Sequence, residues 1–464
     1  MSVLNSPIKL ILSSDYLYLK NKIDFVVKTF LEVYSVTKKT TICLGTQRNN
    51  SIIMFSSDSI NFFIANQGVP DKIIFTNWYD QNIPILFQDS VIDPLIKDGP
   101  NNCTIINADI LSNAFYFLSC WQEFVQSDQD SMGRFPFKSS LTNELGVATI
   151  PVVNYYFDIL KRAIQDFHGS KKVVSFKQKE GLKVGLTHDI DQCKTGWKED
   201  NFRLIKNGKL ITGISNIVAR LFHNDIWFNF SSIKDSEKKK SISSSFYLIA
   251  DDRKSGPHTN ADYRLESIEI QNQMNELLSE GFELGIHGSI GTGFDSEKLK
   301  AEIQKFQLNN LGGRFHYLMM RIPETWKIIE KSGLIYDSTL GFAEMIGFRN
   351  GYCYPFQPYD FENDTHYSFW EYPMNVMDKT LMQPEYLHLK PSEAIVKVQT
   401  LIDEIHKWNG FFILNWHNNT LSGFKYREWV NVYNEIIEYC LALNSNISSI
   451  INHHHSMCKV IASE

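Results

Sequence analysis

The residues of this 464-residue chain most able to do chemistry are Asp189 and Asp191, two carboxylates separated by a single residue. They follow an apolar run, residues 182–186, that predicts a short buried strand. Side chains two residues apart on a strand point the same way. Like charges held this close are costly unless a cation or a shared proton relieves them. The pair therefore predicts a site in which one carboxylate binds a metal and the other accepts a proton.

Further ionisable side chains follow later predicted strands in the same way. They are His287 after residues 282–286, Asp337 after residues 334–336, and His417 shortly after residues 411–414. A single histidine at a strand end is more typical of a hydrogen-bonded core residue than of a metal ligand. Together with the carboxylate pair, these coincidences favour an active site, provided that the fold brings the strand ends to one rim.

The segments that must position these residues alternate between strand-like and helix-like patterns from about residue 183 onward. Helices are predicted over residues 268–278, 296–308, 323–329, 392–408 and 427–443. Strands alternating with helices of this length predict βα units around a parallel sheet. A polar residue after each strand favours a barrel over an open sheet, because the catalytic groups of a βα barrel lie at the carboxyl ends of its strands.

The chain divides near residue 175, so that residues 1–175 form a smaller α/β accessory domain and residues 176–464 form the barrel. In the first part, strands are predicted over residues 9–12, 41–44 and 51–55, and helices over residues 16–34, 110–124 and 150–167. Few polar groups converge in this part. We therefore expect it to pack on the barrel rather than to hold a catalytic site of its own.

The bulk composition is that of a globular protein, with 43% hydrophobic and 21% charged residues. A net charge of −6 gives no support for a surface that binds nucleic acid or an anionic membrane. No apolar run approaches the roughly 18 residues that a membrane span needs, and the N-terminus carries no secretion signal. Seven cysteines without a CxxC pair favour reduced thiols. We therefore expect a cytoplasmic protein without a membrane span.

In the order and spacing of their motifs, residues 183 to about 450 resemble the polysaccharide deacetylase family, carbohydrate esterase family 4. The matching motifs are the acidic pair Asp189-Ile190-Asp191, the histidine motif His287-Gly288-Ser289, an arginine motif over residues 314–323, and the strand-end His417. The resemblance implies a distorted (β/α) barrel. Residues 1–170 are similar to the extra N-terminal domain of a bacterial subgroup of these proteins, notably at residues 133–136 and 150–153.

The activity that this resemblance implies is the metal-dependent removal of acetyl groups from N-acetylated sugars of a glycan or its precursor. Asp191 and His287 would bind a divalent metal, with zinc expected first and cobalt, nickel or manganese as alternatives. Asp189 would act as general base and His417 as general acid. Either Arg314 or Arg349 would hold Asp189 in its charged form.

One position departs from the family pattern. The second motif usually carries another histidine four residues after the first, and here that position is Gly291. Catalytic zinc sites normally use about three protein ligands and a water. His316, which follows a predicted strand at Arg314, is our first candidate for the third ligand. His188, Asp295 or water are the alternatives, and weak metal binding is another.

Two other functions remain open from the sequence. The missing histidine favours a weak or inactive deacetylase-like protein that serves as a carbohydrate-binding module in a polysaccharide pathway. An amidase acting on a non-sugar C–N bond would share the same site. Aromatic residues near the predicted rim suit both sugar stacking and core packing; they are Trp197, Tyr317, Trp326, Tyr354 and Trp416.

Overall fold

The structure is a computed structural model that describes residues 6–90, 92–178, 181–208 and 224–462. Two sheets organise this part of the chain, one of five strands in the N-terminal part and one of nine strands in the second part. None of the helices in the described ranges combines the length and apolarity needed to cross a bilayer.

The N-terminal part is built on a mainly parallel sheet in which only the outermost pairing is antiparallel. Its strands, in spatial order, are Ile8–Leu12, Thr40–Leu44, Ile52–Met54, Cys103–Ile106 and Ile96–Gly99. Its α-helices are Lys20–Val33, Ser59–Ile64, Ile110–Leu118, Trp121–Val125, Leu141–Glu144 and Val152–Phe167. A hairpin of Ile73–Trp78 and Gln81–Leu86 and a pairing of Tyr34–Val36 with Val174–Phe176 complete it.

Most predicted elements of this part are confirmed, with one correction. The aromatic segment 110–124 forms two helices instead of one, because Cys120 adopts a left-handed backbone with φ 55° between them. The helix Val152–Phe167 shows how the spacing of apolar residues predicted a helix and its buried face. Its apolar positions Val153, Tyr156 and Leu160 recur at helical spacing, and all three are buried.

The second part contains a curled parallel sheet of nine strands. Eight of them lie, in spatial order, at Trp370–Glu371, Tyr336–Asp337, Gly312–Phe315, Glu283–Gly288, Ser245–Leu248, Lys183–Ile190, Phe411–Asn415 and Val376–Met377; the ninth, Asn446–Ser448, pairs with Lys183–Ile190. Because Phe411–Asn415 pairs with Lys183–Ile190, the sheet curls back on its first strand. The described ranges hold no pairing between the two outermost strands, so the barrel is open at that seam.

Five helices of the described ranges match predicted ones: Ile268–Ser279, Ser296–Phe306, Glu324–Ser332, Pro391–Lys407 and Arg427–Ala442. Four further helices were not predicted: Gly196–Lys206, Phe230–Lys238, Asp378–Met382 and Ile450–Ala462. All eight residues of the central strand Lys183–Ile190 are buried. Gly312 allows the neighbouring strand to pack closely, because a Cβ there would lie 1.9 Å from the ring of Tyr336. The predicted distorted (β/α) barrel, preceded by a smaller α/β part, is confirmed.

The two parts contact each other through backbone hydrogen bonds. The Phe348 amide donates to the Ala148 carbonyl at 2.7 Å, and the Val153 amide donates to the Gly351 carbonyl at 2.9 Å. Gly347 permits this approach, since a Cβ on it would lie 2.1 Å from the Ala148 oxygen. The boundary at residue 175 stays a prediction.

Candidate metal centre

Asp191 lies just beyond the carboxyl end of Lys183–Ile190, as its position in the sequence predicted. Its Oδ1 atom is buried and has no hydrogen-bond partner in the part of the chain that the structure describes. A buried carboxylate oxygen without a donor is costly. The groups that approach Oδ1 are therefore the key to this site.

His287 reaches Asp191 from the neighbouring strand Glu283–Gly288. Its Nδ1 atom lies 2.9 Å from the carbonyl oxygen of Arg314, which can only accept, so Nδ1 carries the proton and donates it. In the neutral ring, Nε2 then carries a lone pair. That atom lies 3.4 Å from Asp191 Oδ1.

His316 follows the next strand, Gly312–Phe315, and its ring has the opposite orientation. Nε2 lies 3.2 Å from the carbonyl oxygen of Thr259 and donates to it. Nδ1 lies 3.5 Å from Asp191 Oδ1 and 3.0 Å from His287 Nε2. The lone pairs of both imidazoles and the unpaired carboxylate oxygen thus converge, with one ligand atom from each residue lying within 4.8 Å of the others.

This donor set fits a divalent cation. Burial lowers the pKa of His316 to about 4, so its ring is neutral, as a metal ligand must be. Burial alone would also lower the pKa of His287, but the carboxylates of Asp189 and Asp191 raise it above its usual value. Burial would raise the pKa of Asp191, but the facing histidines hold it well below the usual range. A bound cation would replace the positive charge that these carboxylates favour on His287.

The other candidates for a third ligand are placed elsewhere. Both ring nitrogens of His188 are occupied, Nδ1 by the Trp416 carbonyl at 2.8 Å and Nε2 by Glu237 at 2.7 Å. Its side chain points away from Asp189 and Asp191, as alternation along a strand requires. Asp295 instead accepts the amides of Glu297 and Lys298 at the start of a helix.

Asp189 lies beside the centre and is held by two donors. Arg314 Nη1 donates to its Oδ1 at 3.0 Å, and Asn415 Nδ2 donates to its Oδ2 at 2.7 Å. Burial opposes ionisation of Asp189, but the neighbouring His287 and Arg314 outweigh it and hold its pKa below the usual range. Asp189 is therefore a carboxylate at neutral pH, able to accept a proton.

Arg349, the alternative partner for Asp189, is placed elsewhere. Its guanidinium pairs with Glu123 of the N-terminal part, with Nε donating to Oε1 at 2.8 Å, and it donates to the Gly341 carbonyl at 3.0 Å. The sequence could not separate the two arginines, since the choice depends on which segment packs against each. Arg314 makes the contact with Asp189, and Arg349 joins the two parts of the chain.

His417 approaches the carboxylates from the opposite side. Its Nε2 atom lies 3.5 Å from Asp191 Oδ2 and 4.0 Å from Asp189 Oδ2. Its Nδ1 donates to Asp378 Oδ1 at 2.6 Å, and Asp378 also accepts the His417 amide and the Thr420 hydroxyl. Burial would lower the pKa of His417, but Asp378 and Asp191 raise it. His417 can therefore hold a proton on Nε2 at neutral pH.

Asp337, another strand-end residue, forms a separate carboxyl pair with Glu371 on the adjacent strand. Both residues are fully buried. Burial raises the pKa of each carboxyl group, and their proximity raises that of Glu371 further. The Asp337 oxygens accept from the Thr339 amide at 2.8 Å and the Thr339 hydroxyl at 2.9 Å, and within the described ranges Asp337 makes no hydrogen bond to the carboxylate–histidine cluster.

The predicted stacking residues divide by exposure. Trp326, Tyr354 and Trp416 are buried in the core, and Trp197 is half-buried. Tyr317 is 39% exposed, and its ring centroid lies 4.0 Å from that of His316. Of these five aromatic residues, Tyr317 is therefore the one that stands both beside the centre and open to solvent.

Several supporting residues were missed from the sequence. Asp378 begins a five-residue helix after a two-residue strand, which leaves no periodic signal. Thr259 contributes only its backbone carbonyl, from a two-residue strand. Asn415 could have been found from the sequence, because it is a polar residue on an otherwise apolar strand, two positions before His417.

Comparisons with known proteins add the following. A model of a family of unknown function (DUF7033) matches residues 13–169. No curated protein matches the chain. Among solved structures, a Mycobacterium smegmatis protein provisionally described as a polysaccharide deacetylase shares 15% identity at a TM-score of 0.41, covering 62% of this chain and 93% of that one.

Two further structures are similar over comparable lengths. A 4-alpha-glucanotransferase from Thermococcus litoralis shares 12% identity at a TM-score of 0.35, covering 60% of this chain and 40% of that one. A mutant pseudoenzyme of carbohydrate esterase family 4 with restored enzymatic activity shares 11% identity at a TM-score of 0.30, covering 61% of this chain and 78% of that one. Likenesses this low leave the question of function to the side chains of the site.

Proposed function

We propose that the chain is a metal-dependent hydrolase that removes acetyl groups from N-acetylated sugars of a glycan or its precursor. The observation that carries the proposal is the convergence of Asp191 Oδ1, His287 Nε2 and His316 Nδ1 beside two further titratable groups. With both rings neutral, two imidazole lone pairs face a buried carboxylate oxygen that has no hydrogen-bond donor among the described residues, an arrangement that a cation would balance. These three residues would hold a divalent cation, with zinc first and cobalt, nickel or manganese as alternatives.

A cation held there would supply Lewis acidity toward the acyl carbonyl and the attacking water. We assign the role of general base to Asp189, which Arg314 and Asn415 hold in its ionised form. We assign the role of general acid to His417. Because its Nδ1 donates to Asp378, Nε2 is the atom from which a proton passes to the leaving amine.

The sugar preference rests on the surroundings of this cluster. Tyr317 presents a half-exposed ring against His316, and aromatic faces of this kind stack on the apolar faces of sugar rings. The cytoplasmic location that we propose is in line with the cysteines, all seven of which are free thiols.

Two alternatives share this site. Gly291 favours a carbohydrate-binding module without turnover, because the expected third ligand is missing there; His316 weakens that alternative by approaching from another strand. An amidase on a non-sugar C–N bond would use the same residues.

The test is acetate release by the full-length protein from N-acetylglucosamine oligosaccharides, with acetanilide as a non-sugar amide, each assayed after zinc or cobalt loading. Release from the oligosaccharides with a higher kcat/KM than from acetanilide supports the proposal. Faster release from acetanilide favours the amidase. Stoichiometric metal without acetate release from either substrate, but with binding to the oligosaccharide, would favour the binding module.

A further inference from the structure

Arg134 of the N-terminal part reaches into the turn that carries His316. Its Nη1 atom donates to the carbonyl oxygen of Tyr317 at 2.8 Å. Tyr317 is the residue directly after His316, and its ring packs on the imidazole. A residue distant in sequence thus holds the peptide next to a candidate metal ligand.

The turn at His316 needs such support because its backbone is strained. Tyr317 and Leu318 adopt positive φ angles of 57° and 54°. Residues with side chains adopt this left-handed conformation unfavourably, and two in succession persist only where the surroundings hold them. Without a donor to the Tyr317 carbonyl oxygen, the turn would relax toward a less strained backbone conformation, and His316 would move with it.

Arg134 is itself fixed before it meets the turn. Its guanidinium contacts Asp130 Oδ2 through both Nε and Nη2 at 2.7 Å. Asp130 Oδ1 accepts the backbone amides of Met132 and Arg134 at 2.8 and 3.0 Å. The side chains of Asp130 and Arg134 are 20% and 11% exposed, so water screens this pair little. The Arg134 guanidinium is therefore held in position by Asp130 and does not have to be ordered by its contact with the turn.

Arg134 could instead serve only to hold the two parts of the chain together, but other residues already do this. Glu123 pairs with Arg349 through a buried salt bridge, and the segments around Ala148 and Val153 bond to the barrel backbone. Unlike these contacts, the hydrogen bond from Arg134 is directed at the His316 turn. Docking alone does not explain a charged donor aimed at the carbonyl of a strained residue.

We propose that Arg134 is a positioning residue for the metal centre, through which the N-terminal part fixes the ligand that stands in for the one missing at Gly291. The inference rests on the proposed metal site. It gives the N-terminal part a defined role: the barrel alone would bind the cation more weakly than the full chain does.

The experiment compares full-length wild type with Arg134→Ala and Arg134→Lys. Arg162→Ala is the matched control, because Arg162 pairs with Asp166 at the same i,i+4 spacing in the same part of the chain. Zinc dissociation constants are measured by chelator competition. Hydrogen–deuterium exchange of peptides covering residues 315–320 is measured on the metal-free proteins.

We expect Arg134→Ala to weaken zinc binding about 10- to 100-fold, the range found when residues that orient metal ligands are removed. Arg134→Lys should restore part of the affinity, since an ammonium can donate to the Tyr317 carbonyl but cannot keep the two-nitrogen contact with Asp130. Exchange over residues 315–320 should be about tenfold faster in Arg134→Ala. Arg162→Ala should match wild type in both measurements.

An Arg134→Ala protein with wild-type zinc affinity and wild-type exchange over residues 315–320 would overturn the inference. Faster exchange spread over the whole N-terminal part would also overturn it, because Arg134 would then be a general stability residue. If wild type binds no zinc, the proposed function fails, and the exchange of the metal-free proteins still decides whether Arg134 braces the turn.

Discussion

His316 Nδ1 lies 3.0 Å from His287 Nε2, while the other nitrogen of each ring faces a backbone carbonyl oxygen at 3.2 Å and 2.9 Å respectively. Both carbonyl oxygens can only accept a hydrogen bond, so each ring carries its proton on the nitrogen that faces away from the other ring. In their neutral forms the two rings direct lone pairs at each other, with Asp191 Oδ1 beside them. A cation, or a proton on one ring, must relieve this arrangement. This relationship supports the proposed metal site.

The assignment of Asp189 as general base predicts that its replacement lowers turnover without removing the metal. Asp189→Asn removes the proton acceptor and leaves the proposed metal ligands in place. We expect kcat for acetate release to fall about 10²- to 10⁴-fold, with zinc stoichiometry near one per chain as in wild type. Steady-state kinetics and elemental analysis on the same sample measure both. Turnover equal to wild type would remove Asp189 from the mechanism.

Asp378 predicts a pH effect through His417. Burial favours the neutral imidazole, and Asp378 is the main charge that opposes it and raises the His417 pKa. Asp378→Asn removes that charge, so the His417 pKa falls and the ring loses its proton at lower pH. The basic limb of the kcat profile should therefore move about 1–3 pH units lower. An unshifted basic limb with reduced kcat would show that His417 is not the acid that this limb reports.

The buried pair Asp337 and Glu371 predicts how stability depends on pH. Burial raises the pKa of Asp337, so the folded protein keeps a proton that the unfolded chain has lost above about pH 4. The folded state then binds more protons than the unfolded state, and the free energy of unfolding falls as pH rises through this range.

Asp337→Asn removes this titration and should flatten that fall by up to about 1.4 kcal/mol per pH unit. Urea unfolding between about pH 4 and pH 6, the interval between the unfolded and folded pKa values of Asp337, measures the slope. Asp24→Asn is the control, because Asp24 is an exposed carboxylate in a local pair with Lys20. A slope that Asp337→Asn leaves unchanged would show that Asp337 is ionised in the folded state.

Most of the barrel could be predicted from the sequence. Parallel strands end at one rim, so Asp191, His287 and His417 could be brought together from the positions of three strand ends alone. The missing histidine at Gly291 called for a third ligand, and the predicted strand at Arg314 put His316 first among the substitutes. The strained turn that follows His316 was not predicted. Tyr317 and Leu318 are residues that local propensity would not assign to a left-handed conformation.

The remaining features depend on packing between distant segments. The partner of Arg349 is Glu123, 226 residues away, and local sequence carries no signal for such a pair. Asp378 supports His417 from a short helix that follows a two-residue strand. The hairpin of Ile73–Trp78 and Gln81–Leu86 was also missed, since its first strand is partly exposed and carries no buried face.

The most direct test of the account is the metal content of the purified full-length protein after zinc loading and dialysis. The samples are wild type, Asp191→Ala, His287→Ala and His316→Ala, with His455→Ala as a control for an exposed histidine outside the cluster. We predict about one zinc per chain in wild type and in the control, and loss of tight binding in the other three variants. Absence of zinc from wild type, or full retention of zinc in His316→Ala, would contradict the three-ligand centre.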